Sequence, residues 1–150
     1  MKKRTLIKLT EHCRWRMGCY LVIEQLINLG ATVELRPRAK NRTEKFSIYV
    51  SGLRVYVRAA WPRQYRHGTR TAKGQTRVIA ARYFTARRDG EDGVFVFVAI
   101  GLNGEAHRFF VVPTNAVRVK GWKLYNGCRS RTYGSHENAW HHIAGSPPPA

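Results

Sequence analysis

Two alternating runs, Phe46-Ser-Ile-Tyr-Val50 and Leu53-Arg-Val-Tyr-Val57, are separated by only Ser51-Gly52. A two-residue link of this chemistry between period-2 segments calls for a tight hairpin, and its length sets the register. Pairing Val50 with Leu53 places Tyr49 opposite Arg54, Ile48 opposite Val55 and Ser47 opposite Tyr56. One face then carries Phe46, Ile48, Val50, Leu53, Val55 and Val57, an apolar surface that needs a core. The other carries Ser47, Tyr49, Arg54, Tyr56 and, at its end, Arg58. These hydroxyls, rings and guanidinium groups are open to water, a helix or a ligand.

The elements around the hairpin follow from periodicity. Over 14–29, Trp15, Cys19, Val22, Ile23, Leu26 and Ile27 recur at helical intervals, and Gly30 is placed to stop the helix in a left-handed cap. A short strand before Pro37 follows, then a charged connector over 36–45. Val94 to Ile100 is almost continuously apolar, as a strand buried on both faces is, and Asn103-Gly104 turns the chain into a second run, 107–112, closed by Pro113. Glu137 to Ile143 reads as one short helix packing through Trp140 and Ile143, and 146–150 as a disordered tail. At this length residues 1–145 form one domain. The stretch 68–77 has no apolar periodicity and reads as a mobile loop, while 78–86 fits a short helix or a strand equally well.

Charge supplies the functional constraint. The chain has 27 Lys and Arg against 9 Asp and Glu, a net +18, and is 43% hydrophobic, enough to bury a core. A surface of this sign attracts polyanions, with nucleic acid the default partner and no membrane role expected. The excess concentrates in 36–88, where Arg36, Arg38, Lys40, Arg42, Lys45, Arg54, Arg58, Arg63, Arg66, Arg70, Lys73, Arg77, Arg82, Arg87 and Arg88 face only Glu44. Six to ten phosphate contacts from this set would make affinity fall by about 10³ to 10⁵ between 50 and 200 mM salt. Trp61, beside Pro62 and the basic stretch, is the candidate for base stacking. Trp15, Trp122 and Trp140 are assigned to the core.

Other chemistries lack their residues. Cys13, Cys19 and Cys128 form no disulfide framework and suggest a reducing interior. No Cys-x-x-Cys pair or finger spacing joins them to His12, His136, His141 or His142, so no zinc site is assigned, and no cofactor is implied. Lys8 and Glu11 break the apolar stretch of a signal peptide, and no run reaches the roughly 20 residues of a membrane helix.

The order of these elements, with Leu26-Ile-Asn-Leu-Gly30-Ala-Thr-Val33, the hairpin from Phe46 to Ala60, Val111-Val-Pro113 and the late Trp140, resembles the PD-(D/E)XK nucleases. The likeness is to the compact phage, mobile-element and Holliday-junction members of this restriction-endonuclease-like superfamily. It implies an α/β fold with a restriction-endonuclease-like core: a central mixed sheet, an N-terminal amphipathic helix and the hairpin carrying the site. The family's metal-binding Asp falls on Ser47, its Glu or Gln on Tyr56 and its Lys on Arg58. Ser and Tyr do not hold a divalent cation as carboxylates do, so no catalytic or metal-ligating residue is assigned.

The reading that results is a catalytically inactive, nuclease-like protein of a mobile element that binds duplex DNA. Its expected contacts are Ser47, Tyr49, Arg54, Tyr56, Arg58, Trp61, Arg63, Arg66, Arg70, Lys73 and Arg77. Two alternatives stay open: an active metal-dependent nuclease with a site displaced to Glu24 and Glu44, and an RNA-binding or ribosome-associated protein. The resemblance also implies a homodimer, although no self-complementary apolar surface can be read from the sequence. The expected location is cytoplasmic, on the nucleoid.

Overall fold

The helix expected over 14–29 starts earlier and spans Lys3–Asn28 (α1), about 39 Å at 1.5 Å per residue. Its first eleven residues lack apolar periodicity, which is why pattern alone places the start too late. The end is as expected. Gly30 has φ +82°, its N–H donates to Ile27 O at 2.9 Å, and the Ala31 N–H reaches Leu26 O at 2.9 Å, the paired bonds of a Schellman cap. The computed structural model describes residues 3–39, 44–70, 76–88, 90–101, 104–125 and 128–144, with side chains for these except 3–12, 64–70 and 76–80. Lys73, Asn103 and the tail 146–150 lie outside the described residues.

Five strands form the central sheet in the order β1(Val33–Pro37), β2(Phe46–Val50), β3(Leu53–Ala60), β6(Gly93–Ala99), β7(Arg108–Pro113). The β2–β3 hairpin has the expected register, Val50 opposite Leu53, Tyr49 opposite Arg54 and Ile48 opposite Val55. Ser51 and Gly52 take φ +51° and +79°, both positive as a type I′ turn requires. β3 and β6 pair in parallel while the other pairs are antiparallel, so the sheet is mixed. Every residue of β6 is buried, as its unbroken apolar run demands.

The basic stretch differs from expectation. β4(Arg63–Arg70) and β5(Thr76–Thr85) pair antiparallel with an irregularity between Arg66 and Arg70, and β8(Gly121–Tyr125) joins β5 to complete a second, three-stranded sheet. The flanks of the supposed loop are therefore strands, and the ambiguous 78–86 lies mostly in β5. Their pairing partners supply the regularity that their own sequence does not display.

Two cores sandwich the central sheet. On one face Cys19, Val22 and Leu26 of α1 pack on Ile48, Val50, Val55, Val57 and the even-numbered valines of β6. Gly18 lets α1 come this close: a Cβ built there lies 2.6 Å from the Ala59 Cβ, a contact that another residue would have to relieve by pushing the helix away. On the other face the second sheet brings Phe84, Trp122 and Leu124 against Phe95, Phe97, Phe110 and Tyr133. Trp122 is ringed by Phe84, Phe97, Phe110 and Tyr133 at centroid distances of 4.8 to 5.4 Å, favourable aromatic geometries that explain its role in the core. Trp15 packs on Phe46 at 4.9 Å and Trp140 on Phe109 at 5.4 Å. The terminal helix is only α2(His141–Ala144), following a 3₁₀ turn over Gly134–His136.

Candidate nucleic-acid interface

The polar face of the β2–β3 hairpin is covered. Ser47, Tyr49, Arg54 and Tyr56 are all buried, and the segment leading into β6 reaches the two tyrosines. The Tyr49 hydroxyl donates to Glu91 Oε2 at 2.9 Å, and the Tyr56 hydroxyl to the Glu91 carbonyl at 2.7 Å. Arg54 lies with its Cζ 4.6 Å from the Tyr56 ring and 5.6 Å from the Tyr49 ring, where the ring quadrupoles offset part of its desolvation. Tyr56 itself stacks on Phe95 at 5.0 Å. Four of the residues expected to face a ligand thus face the protein.

Arg58, at the end of the same face, is the centre of an ion network. Its Nη1 donates to Glu44 Oε1 at 2.8 Å, and the other oxygen of Glu44 accepts from Arg38 Nη1 at 3.3 Å. Arg58 also donates to the backbone carbonyls of Val57 and Arg87. One carboxylate shared by two guanidinium groups is charge-assisted and partly shielded from solvent. The network lies near Cys19 on α1, whose thiol is pushed up to about 12, first by burial and then by the Glu44 charge.

Glu24 and Glu44 do not converge. Glu24 is exposed on α1, two positions from the buried Val22 and so about 200° around the helix from the sheet-facing side. Glu44 is committed to Arg38 and Arg58. The displaced carboxylate pair is corrected on this geometry. Among the described residues no three His, Cys, Asp or Glu side chains group as metal ligands.

Five of the scarce acids have a common use as partners of arginine. Among the described side chains, Glu34 accepts from Arg36, Glu44 from Arg38 and Arg58, Asp92 from Arg88, Glu105 from Arg82 and Glu137 from Arg108, while Glu91 takes the Tyr49 phenol. Arg82, counted in the charge of the basic stretch, is 1% exposed and donates twice to Ile100 O, at 3.1 and 2.7 Å. It is a structural residue of β5, and its count as a surface cation is corrected.

Beyond the covered face, at the end of β3, a cavity of about 320 Å³ is lined by Arg14 and Trp15 of α1, Arg58 and Trp61, Arg63 of β4 and Tyr83 of β5. Arg14 stands over the Trp61 ring at 5.7 Å, and Arg63 is exposed. Among the described residues no acid lines this cavity. It unites Arg58, Trp61 and Arg63 of the expected contacts and adds Arg14 and Tyr83, which sequence reasoning missed because only the packing of α1 and β5 brings them there. Arg66, Arg70 and Arg77 lie on the β4–β5 hairpin by their backbone positions.

The fold resembles that of a homing endonuclease. The match is to the structure of a bacterial homing endonuclease, I-Ssp6803I, at a TM-score of 0.53 and 19% sequence identity, covering 88% of this chain and 89% of that one. At this identity the likeness is one of fold: an N-terminal helix on a central mixed sheet. Neither the protein-family models nor the curated proteins give a match. No helix among the described residues is long and apolar enough to cross a membrane.

Proposed function

We propose that this protein binds nucleic acid, with duplex DNA as its principal partner, on a PD-(D/E)XK-type nuclease fold that no longer cuts. The observation that carries this reading is the state of the hairpin's polar face. Where the resembled motif has acids and a lysine, this chain has Ser47, Tyr56 and Arg58; of the carboxylates that reach this face, Glu44 is neutralised by two arginines and Glu91 is engaged by the Tyr49 phenol. A divalent cation needs several convergent anionic oxygens. Buried hydroxyls beside a guanidinium do not fit one, and no cleavage step is derived through a metal.

Binding is instead assigned to the basic surface around the covered face. The cavity edged by Arg14, Arg58 and Arg63, with Trp61 and Tyr83 in its wall, offers charge for phosphate and rings for a base or sugar. The β4–β5 hairpin with Arg66, Arg70 and Arg77, and Lys73 between its strands, is proposed to extend the phosphate-contacting surface. The fold likeness to a homing endonuclease supports DNA as the polyanion, and a nucleoid-associated location goes with that reading.

The test is duplex binding by fluorescence anisotropy across a salt series, with Arg14→Ala and Arg63→Ala combined. The double variant is expected to weaken binding and to flatten the salt slope by about two phosphate equivalents. Unchanged affinity in a folded double variant would place the interface elsewhere. Tighter binding of duplex RNA at equal salt would favour the ribosome-associated reading, and magnesium- or manganese-dependent cutting of the DNA would overturn the loss of catalysis.

A further inference from the structure

The cavity at the end of β3 is walled by aromatic rings as well as by arginines. Trp15 comes from α1, Trp61 follows β3 and Tyr83 lies in β5, so the packing of separate elements brings the rings together. Tyr83 is 47% exposed, and its place depends on Gly121 of β8: a Cβ built there overlaps the Tyr83 hydroxyl, so the phenol fills the space that any other residue at 121 would take. Trp61 keeps its Nε1 donor buried without an acceptor among the described residues. A buried indole N–H ordinarily has an acceptor, and at a cavity wall a ligand can bring one.

We infer that this cavity takes one unpaired nucleotide of a DNA strand, its base against the rings and its phosphate on the arginines. The inference rests on the DNA reading proposed above and narrows it to a kind of DNA. In a fully paired duplex the faces of each base are covered by its neighbours, and rings set in a recess do not reach them. A base stacks on protein only where it has left the helix or was never paired. The volume, about 320 Å³, is at the small end of ligand pockets and suits one nucleotide rather than a run. Arg14, with its Cζ 5.7 Å from the Trp61 ring centroid, sets a cation beside a stacking face, so charge and ring fall within the reach of a single nucleotide. Arg63 opens β4 and pairs with Ala81 of β5, two residues before Tyr83, which puts the cavity at the root of the β4–β5 hairpin. A strand whose phosphates lie along that hairpin passes the cavity, where an extra nucleotide can turn in.

The test compares two duplexes of one sequence by fluorescence anisotropy on the full chain at fixed salt. One is fully paired, and the other carries a single extra nucleotide, 2-aminopurine, bulged from one strand. The bulged duplex should bind about tenfold tighter, within what stacking one base contributes, and its 2-aminopurine emission should fall as the base meets the rings. Tyr83→Ala, at an exposed position, should bring the ratio of the two affinities close to unity, whereas Tyr83→Phe should keep it. Gly121→Ala, which displaces the phenol without removing it, should lower the ratio as well. Arg63→Ala should weaken both duplexes and leave the ratio in place. Equal affinity of the parent chain for the two duplexes, or a preference that survives Tyr83→Ala in a folded variant, would overturn the nucleotide pocket and leave duplex binding standing. Failure of both duplexes to bind would remove the proposed function together with the pocket. Deoxyadenosine monophosphate through the millimolar range should not displace the bulged duplex, and displacement would assign the cavity to a free nucleotide instead.

Discussion

Arg58 and Glu44 meet at 2.8 Å at the edge of the hairpin's polar face, and Glu44 turns its second oxygen to Arg38 at 3.3 Å. Replacing that carboxylate by an amide leaves two guanidinium groups without their anion. Glu44→Gln should lower stability by about 1–2 kcal/mol, measured by urea unfolding. It should also raise duplex affinity, because net charge increases by one beside the proposed binding surface. A variant as stable as the parent would contradict the structural role of the pair.

Arg82 and Arg87 belong to the same basic stretch but have opposite assignments. Arg82→Met removes a buried head group and leaves the Ile100 carbonyl without its donor, so a loss of about 3 kcal/mol is expected with the affinity of the folded protein unchanged. Arg87→Met, at an exposed side chain, should change stability by no more than about 0.5 kcal/mol and should weaken binding. Paired denaturation and anisotropy measurements separate the two. An Arg82→Met variant of native stability that bound weakly would reverse the assignment.

Thiol chemistry offers an independent check on the α1 packing. Cys13 and Cys128 are exposed and Cys19 is buried, its thiol pushed up to about 12, so its reactive thiolate is scarce near neutral pH. Two thiols should react promptly with an alkylating reagent in the native protein and the third only on unfolding. Three equal rates would mean that α1 does not cover the sheet as described.

Acid should destabilise the C-terminal region in two stages. His136 and His142 both have pKa values lowered, first by burial and then by neighbouring positive groups: Arg118 and His141 for His136, and the other two imidazoles for His142. Stability linked to a lowered pKa is complete above the unfolded value, 6.5, and is lost as pH falls through the folded one. Glu137, held below its usual range by the Arg108 hydrogen bond, adds a second loss below 4.5. Urea midpoints should therefore drop between about pH 7.5 and about pH 5, and His136→Gln with His142→Gln should flatten that drop. A midpoint independent of pH in the parent would refute the assignment.

The parts legible from sequence are those whose rules are local. The hairpin register follows from a two-residue link and strict alternation, and the α1 ending from Gly30. β6 declares itself by being apolar throughout. β4, β5 and β8 were not legible because their order comes from one another: Trp122 reads as a core residue, but nothing sets it in a strand until Phe84 of β5 is beside it. The anchoring of Tyr49 and Tyr56 was also hidden, since it depends on Glu91, 42 and 35 residues away along the chain. Charge counting likewise sees Arg82 as a surface cation, whereas only the fold reveals the Ile100 carbonyl that draws it inside.

Val55 pairs in parallel with Val94, and β4 and β5 lie between them in chain order. Joining β3 to β6 therefore closes a long loop, a non-local step of the kind that slows folding. Once closed, the pair is nearly indifferent to the size of what it encloses, since doubling such a loop costs only about 0.6 kcal/mol. The β4–β5 segment is thus held between two fixed posts, with β5 itself anchored by Phe84 in the second core and by Arg82 on the Ile100 carbonyl. Changes of length between β4 and β5 should therefore be tolerated far better than their size suggests.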